Sequence, residues 1–310
     1  MQVTVKEVSN KKEFKAFYQF QNKLYKGCEQ YVPSLDADQK STLTSDPALD
    51  YCERKMWLAY KGDRVVGRIQ GIINPRYNEF YNLKRIRFGW FDFEEDIKIA
   101  KALVKCKINN QLSLLKKSRK TDEKTTLAKE ICLTALSEIS TIVSDFKQLM
   151  GLEGYVSKAF FNAYFQDIGW KSRLPRTKCD AINSTLDIGY TILFNYIECF
   201  VRMFGFDLYV DVSHRLWFKR KSLICDLVEP FRCIIDHTIK IAFNRKQFSE
   251  DDFKVIKGEY RLKYEKNAYY SKLFFNALIP YKMEVFRFIQ SYYRCFMQGK
   301  DIVNYPKFEI

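Results

Sequence analysis

The stretch "HRLWFKRKSLICDLVEPFR", residues 214 to 232, carries one of only two histidines in the chain, the basic residues Arg215, Lys219, Arg220 and Lys221, and the acids Asp226 and Glu229. The two acids are three positions apart, so on a continuous helix both leave the same face. Their neighbours Leu223, Ile224, Leu227 and Val228 are apolar. A buried pair of like charges is costly unless a cation lies between or beside it. Pairing with Lys221 or Arg232 meets that need, and so does a metal ion. Pro230 removes a helical hydrogen bond and distorts the helix just beyond Glu229. A third acid, Glu153, stands between two glycines in "GLEGYVSKAFF". The reading places it at the mouth of a helix, where an acid suits the dipole and the glycines let a backbone approach closely. A lone histidine such as His214 is more often a hydrogen-bonded bystander than a ligand. Taken as a ligand set, Glu153, His214 and Glu229 suit Mg²⁺ or Mn²⁺ better than zinc, because oxygen ligands dominate.

Basic residues surround these positions. "WKSRLPRTKCD" supplies Lys171, Arg173, Arg176 and Lys178, and "HRLWFKRK" supplies Lys219, Arg220 and Lys221. An acidic metal pocket rimmed by cations has the composition for cutting or joining phosphodiesters: the metal activates a hydroxyl or water while lysine and arginine hold the phosphates. Each basic residue taken singly is more at home on a solvated face. The formal net charge of +15 over 310 residues favours a polyanionic partner.

Positioning such a site is the task of two differently written parts. Residues 1–95 read as a small mixed α/β unit. "KKEFKAFYQFQNKLYK" has helical spacing, "MWLAYKGDRVVGRIQGII" reads as two strands around a Lys-Gly-Asp turn, and "RIRFGWFDF" as a further strand. Residues 96–310 are mainly helical. Ile97, Ala100, Leu103, Ile108, Leu112 and Leu115 make an apolar stripe with lysines on the other faces. A second helix is expected over "TTLAKEICLTALSEISTIVSDFKQLMG" and a third over "LEGYVSKAFFNAYFQDIG", closed by Gly169. Asp180 caps a long helix through Phe204, closed by Gly205. Ser222 caps the acid-bearing helix, Ser249 starts another, and the last runs from about Tyr269 to Met297. The fold class is therefore α+β. The apolar run "IGYTILFNYIECFVRMFGF" contains Glu198 and Arg202, so it reads as a buried helix and not a membrane span. The opening lacks the apolar core of a signal peptide. Nine cysteines without a Cys-x-x-Cys pair read as free thiols of a reducing cytoplasm.

The order "KINNQLSLLKK", "GLEGYVSKAFFNAYF", "RLPRTKCDAINSTLDIGYTILFNYIECFVRMFGFD", "SHRLWFKRKSLICDLVEPFRCIIDH" resembles the CRISPR-associated integrase, the endonuclease of spacer acquisition, and is closest to those accompanying type V effectors. The resemblance covers residues 96–310, the α-helical catalytic domain. It implies a metal-dependent DNA integrase in which Glu153, His214 and Glu229, with Asp226 close by, hold Mg²⁺ or Mn²⁺. In that family a prespacer 3′-hydroxyl attacks a phosphodiester at the edge of the CRISPR repeat, with no covalent enzyme intermediate. The implied partners are prespacer and repeat DNA and a small CRISPR adaptation protein. Arg173, Arg176 and Asn183 are candidates for DNA contact near the site, and Lys178, Lys219, Arg220 and Lys221 are candidates from their charge alone.

Residues 1–95 resemble instead the front of a GNAT-superfamily acetyltransferase, without the Q/R-x-x-G-x-G/A loop that grips acetyl-CoA. The integrase family begins with a β-rich domain that forms its homodimer, so a replaced domain sets dimerisation in question. Two readings follow: an active integrase, or a DNA-binding remnant lacking the β-rich domain. An acetyltransferase ranks behind both.

Overall fold

A computed structural model describes residues 3–26, 32–93, 97–118, 122–143, 145–206 and 221–310. His214, Arg215, Lys219 and Arg220 lie outside the described residues. The chain divides into two compact units, Met1–Glu95 and Asp96–Ile310.

The first unit contains strand β1 (Val3–Glu7), helices α1 (Lys11–Leu24) and α2 (Asp36–Thr44), strands β2 (Glu53–Lys61) and β3 (Arg64–Ile73), helix α3 (Pro75–Phe80) and strand β4 (Arg87–Phe93). The sheet is antiparallel in the order β1-β2-β3-β4. Its central hairpin turns at Gly62, whose φ of 64° favours a residue without a Cβ. Phe17, Leu43 and Leu58 form the small core. Arg68 is buried there because its Nη1 donates to the Phe17 carbonyl at 2.8 Å and its guanidinium lies 4.8 Å from the Trp90 ring centre.

The second unit is built around α4 (Ile97–Lys117). The expected stripe becomes burial on most of its circumference, including Lys107, Asn110 and Gln111. Helices α5 (Glu123–Thr141), α6 (Phe146–Tyr164), α7 (Ala181–Met203), α8 (Ser222–Leu227) and α9 (Arg232–Asn244) follow. Then come a hairpin of β5 (Phe253–Ile256) and β6 (Glu259–Leu262), and helices α10 (Asn267–Leu278) and α11 (Lys282–Met297). Asp180 caps α7 by accepting from the Asn183 amide, and Gly205 follows its end at φ 72°.

Four expectations are corrected. The break between α5 and α6 falls near Asp145, not at Gly151, because the Asp145 side chain accepts from the Gln148 amide and starts the new helix there. Glu153 therefore lies inside α6 and not at its mouth. The acid-bearing helix stops at Leu227, and Glu229–Phe231 form a 3-10 turn. A proline at 230 has no N–H to continue the ladder and its ring crowds the carbonyl four residues back, so the distortion precedes Glu229. Pro280 splits the last helix by the same device, through a 3-10 turn at Ile279–Tyr281. Ser249 caps only the 3-10 turn Glu250–Asp252, after which Lys257 and Gly258, both at positive φ, turn β5 into β6. Among the described residues no helix is long and apolar enough to cross a membrane.

Candidate active site

Lys107 sits on α4 at a position where the 3.6 period calls for an apolar residue. Its ammonium meets Glu153 Oε1 from α6, and lies 2.7 Å from Glu229 Oε2 on the 3-10 turn. That turn is fixed to α4 a second time, one helical turn on, where buried Asn110 donates through Nδ2 to the Pro230 carbonyl at 2.9 Å. Phe231 anchors it from beneath, with ring centres 5.1 Å from Phe288 and 4.5 Å from Phe308. Arg232, the first residue of α9, brings Nε to 2.9 Å from Glu229 Oε1. Ser157 donates to Glu153 Oε1 at 3.2 Å from one turn along α6. Two carboxylates and two cations thus form one compact, largely desolvated cluster.

The electrostatics follow from that packing. Burial alone would raise the Glu229 pKa, but Arg232 and then Lys107 outweigh it and hold the carboxyl down at about 2. Burial opposes the Lys107 ammonium, yet Glu153 and Glu229 outweigh it and raise its pKa. The Glu229 Oε2 atom is buried, and its partner is the Lys107 ammonium at 2.7 Å.

Behind this cluster stands a second layer. Tyr190, on α7, donates to Asp236 Oδ1 at 2.6 Å. Arg232 lies over the Tyr190 ring at 4.5 Å and Arg173 at 5.8 Å. Burial pushes the Asp236 carboxyl up to about 7, with the Tyr190 hydrogen bond and the cations Arg232, Lys107 and Arg173 pulling the other way.

Lys107, Glu153, Ser157, Glu229, Arg232, Tyr190 and Asp236 line one cavity of about 1200 Å³. Lys158, Lys171, Arg173, Arg176, Lys178 and Lys221 also line it. Arg173 is held in place by Asn183 Oδ1 at 2.9 Å and Asp187 Oδ1 at 2.6 Å. Asn183 itself is fully buried, with its amide donating to the Ser172 carbonyl and Asp180. It organises the loop below the rim rather than reaching into the cavity. Lys221 is bound to both oxygens of Glu198 at 2.7 and 2.8 Å, so part of its charge is already answered. Asp226 is buried but does not line the cavity. Its charge, after burial and Tyr305, helps push up the pKa of the Tyr292 phenol on α11. The helical break before Glu229 is what separates the two acids.

The structure therefore gathers Glu153 and Glu229 but not Asp226, and adds Lys107, Arg232, Tyr190 and Asp236. Arg232 was visible in the sequence as the local partner of Glu229. Lys107 looked like one solvated lysine among many in "KALVKCKINN". Its place on the apolar face was the available signal.

The donor set suits a divalent cation. The carboxylates of Glu153 and Glu229, from two different elements, already converge on one positive charge. No group of three acids, thiols or imidazoles forms among the described residues. Gly151 and Gly154 flank Glu153 on α6, and a Cβ at either would meet nothing within 4 Å. Gly154 borders the cavity. Gly154→Ala is expected to raise stability by about 0.5–1 kcal/mol through helix propensity. If a DNA backbone uses that open space, the same change weakens DNA binding. A melting curve and a binding titration on the one variant read both effects.

Comparison with known proteins bears on the same region. Residues 44–275 match the family model described as CRISPR associated protein Cas1. A CRISPR-associated endonuclease Cas1 of Thermodesulfovibrio yellowstonii is 27% identical over 251 residues, spanning 76% of this chain and 78% of that protein. The solved partial Cas6-RT-Cas1–Cas2 complex superposes with a TM-score of 0.63 at 19% identity, over 68% of each chain. A casposase bound to integration product superposes with a TM-score of 0.56 at 19% identity, over 69% of this chain and 64% of that one. The match begins at residue 44 and so takes in β2, β3 and β4. This corrects the acetyltransferase resemblance of residues 1–95, which no comparison supports: most of the sheet falls inside the same family match as the helices.

Proposed function

Because the chain belongs to the CRISPR-associated protein Cas1 family, we propose that it is a DNA endonuclease and integrase of spacer acquisition, working at the Glu153–Glu229 cavity. The observation that carries this reading is the convergence of those two carboxylates, from α6 and from the turn before α9, inside a rim of lysine and arginine. The reaction is a transesterification. A 3′-hydroxyl of the incoming DNA attacks a phosphodiester at the repeat edge; one P–O bond forms, one breaks, and no external energy source is needed.

Each group of the chain has a task in this reading. Arg173, already oriented by Asp187 and Asn183, and the cavity-lining lysines Lys158, Lys171 and Lys178 hold the phosphates on either side of the reacting one. Arg232, stacked on Tyr190 and paired with Glu229, keeps the carboxylate pointed at the cavity. Tyr190 and Asp236 fix Arg232 in turn. Glu153 and Glu229, completed by His214 as the family resemblance implies, would hold Mg²⁺ or Mn²⁺. When bound, the ion supplies Lewis acidity to the phosphoryl oxygen and lowers the pKa of the attacking hydroxyl. The casposase structure, described as bound to an integration product, supports DNA as the substrate. The Cas1–Cas2 complex supports a small Cas2-type protein as a partner of this chain.

The test is integration of a labelled DNA with a free 3′-hydroxyl into a supercoiled plasmid carrying a CRISPR repeat, with Mn²⁺ or Mg²⁺. Wild type is expected to give joined product, and Glu153→Gln at least a hundredfold less. DNA binding without joining or cutting in the wild type would instead mark a DNA-binding remnant.

A further inference from the structure

We infer that Lys107 is a resident counter-cation of the metal seat: it holds Glu153 and Glu229 together when no divalent ion is present, and it must swing out before one can bind. This rests on the reading above, in which those two residues are metal ligands.

The geometry sets up a competition. The Lys107 ammonium contacts Glu153 Oε1 and lies 2.7 Å from Glu229 Oε2. A Mg²⁺ or Mn²⁺ ion liganded by the same oxygens would sit about 2.1 Å from each. It would then lie against the ammonium, with like charges in a poorly solvated place. The two cations cannot share the seat.

The cluster is also built to survive the exchange. As it stands, two anions meet two cations and the cluster is neutral, so neither carboxylate suffers the cost of an unpaired buried charge. Arg232 holds the other oxygen of Glu229 at 2.9 Å and is itself fixed on Tyr190, so Glu229 stays oriented if Lys107 leaves. Lysine is suited to leaving: a compact charge on a four-carbon stem, with no fork to break. It has somewhere to go, because Lys107 borders the cavity beside Lys158 and Arg173. Outside the seat the ammonium joins the groups that hold substrate phosphate. Metal loading would thereby convert a structural lysine into a phosphate ligand, so that metal and DNA favour one another's binding.

Two measurements on the full chain test this without reading activity. The first is lysine acylation followed by mass spectrometry, on wild type with and without saturating Mn²⁺. Lys107 is expected to be protected without Mn²⁺ and to react roughly tenfold faster or more with it, as a buried group becomes accessible. The second is calorimetric titration of Mn²⁺. Lys107→Met is expected to bind Mn²⁺ about tenfold more tightly or better, since a competing charge has gone. Glu229→Gln serves as the control that abolishes binding. Unchanged Lys107 protection at a Mn²⁺ concentration that saturates the Glu229-dependent site overturns the inference and leaves the metal site standing. So does equal or weaker Mn²⁺ affinity in Lys107→Met. Mn²⁺ binding that is absent, or indifferent to Glu229→Gln, overturns the ligand assignment and the inference with it. The labelling experiment uses wild type, so poor folding of the methionine variant does not remove the test.

Discussion

Glu229→Gln is expected to lower stability at neutral pH by about 3 kcal/mol or somewhat more, as well as to stop DNA joining. The amide keeps the volume of the carboxylate and removes its charge. Arg232 then loses its carboxylate partner, and Lys107 keeps only Glu153. Removing one partner of a buried ion pair is costly mainly because it strands the other. The pH dependence identifies the cause. Glu229 titrates at about 2 in the fold against 4.5 as the ordinary value. A depressed carboxylate contributes its full stabilisation above the unfolded value and loses it as the pH falls towards the folded one. The stability gap between wild type and Glu229→Gln should therefore be constant above about pH 5 and close between pH 4.5 and pH 2. Urea melts of both proteins across that range measure it. A gap that stays open at the acid end would mean that packing, and not the ion pair, sets the loss.

What the sequence made legible here follows the reach of each signal. Local signals acted where nothing else competed. The Lys-Gly-Asp turn, the Asp180 cap and Gly205 fall where the structure places them, because a turn glycine and a cap side chain each answer a need of their own few residues. The misplaced boundaries are those where a glycine or a serine was read by type alone. Gly151 suggested an end to a helix, yet the cap at Asp145 had already restarted it. The β5–β6 hairpin was hidden because its strands are four residues each, too short for alternation to stand out from the surrounding helices.

The site divides in the same way. Glu153 and Glu229 were legible because acids among apolar residues demand an explanation. Their common partner was not, because Lys107 is 46 positions from Glu153 and one lysine of a lysine-rich chain. Asp226 was grouped with Glu229 on helical spacing, and Pro230 broke the helix on which that spacing depends. Asp236 and Tyr190 join only when α7 packs on α9, a contact that no local pattern announces.

That contact depends on Gly189, and Gly189→Ala is expected to be strongly destabilising. A Cβ there would come within 2.5 Å of Ile235 Cγ2 and 2.9 Å of Phe274 Cε1. Both neighbours are completely buried, on α9 and α10, and neither is the loose end of a flexible side chain. Helix propensity favours alanine by about 1 kcal/mol. Overpacking of a filled core typically costs 1–3 kcal/mol and occasionally more, and two contacts below 3.0 Å put this site at or beyond the upper end, roughly 3 kcal/mol before the propensity gain. For a unit of this size that net loss lowers the melting temperature by several degrees, at about 2–4 °C per kcal/mol. The displacement also reaches the site. Tyr190 follows Gly189 in the chain, and Asp236 follows Ile235, so pushing α7 from α9 stretches the 2.6 Å hydrogen bond behind Arg232. DNA joining should then fall by more than the fraction of unfolded protein explains. Gly154→Ala is the matched control, the same substitution in a helix of the same unit with open space in place of Ile235 and Phe274. The two melting temperatures should move in opposite directions from wild type. If Gly189→Ala instead rises alongside Gly154→Ala, α7 and α9 are not in close contact at this position, and the orientation of Arg232 must have another source.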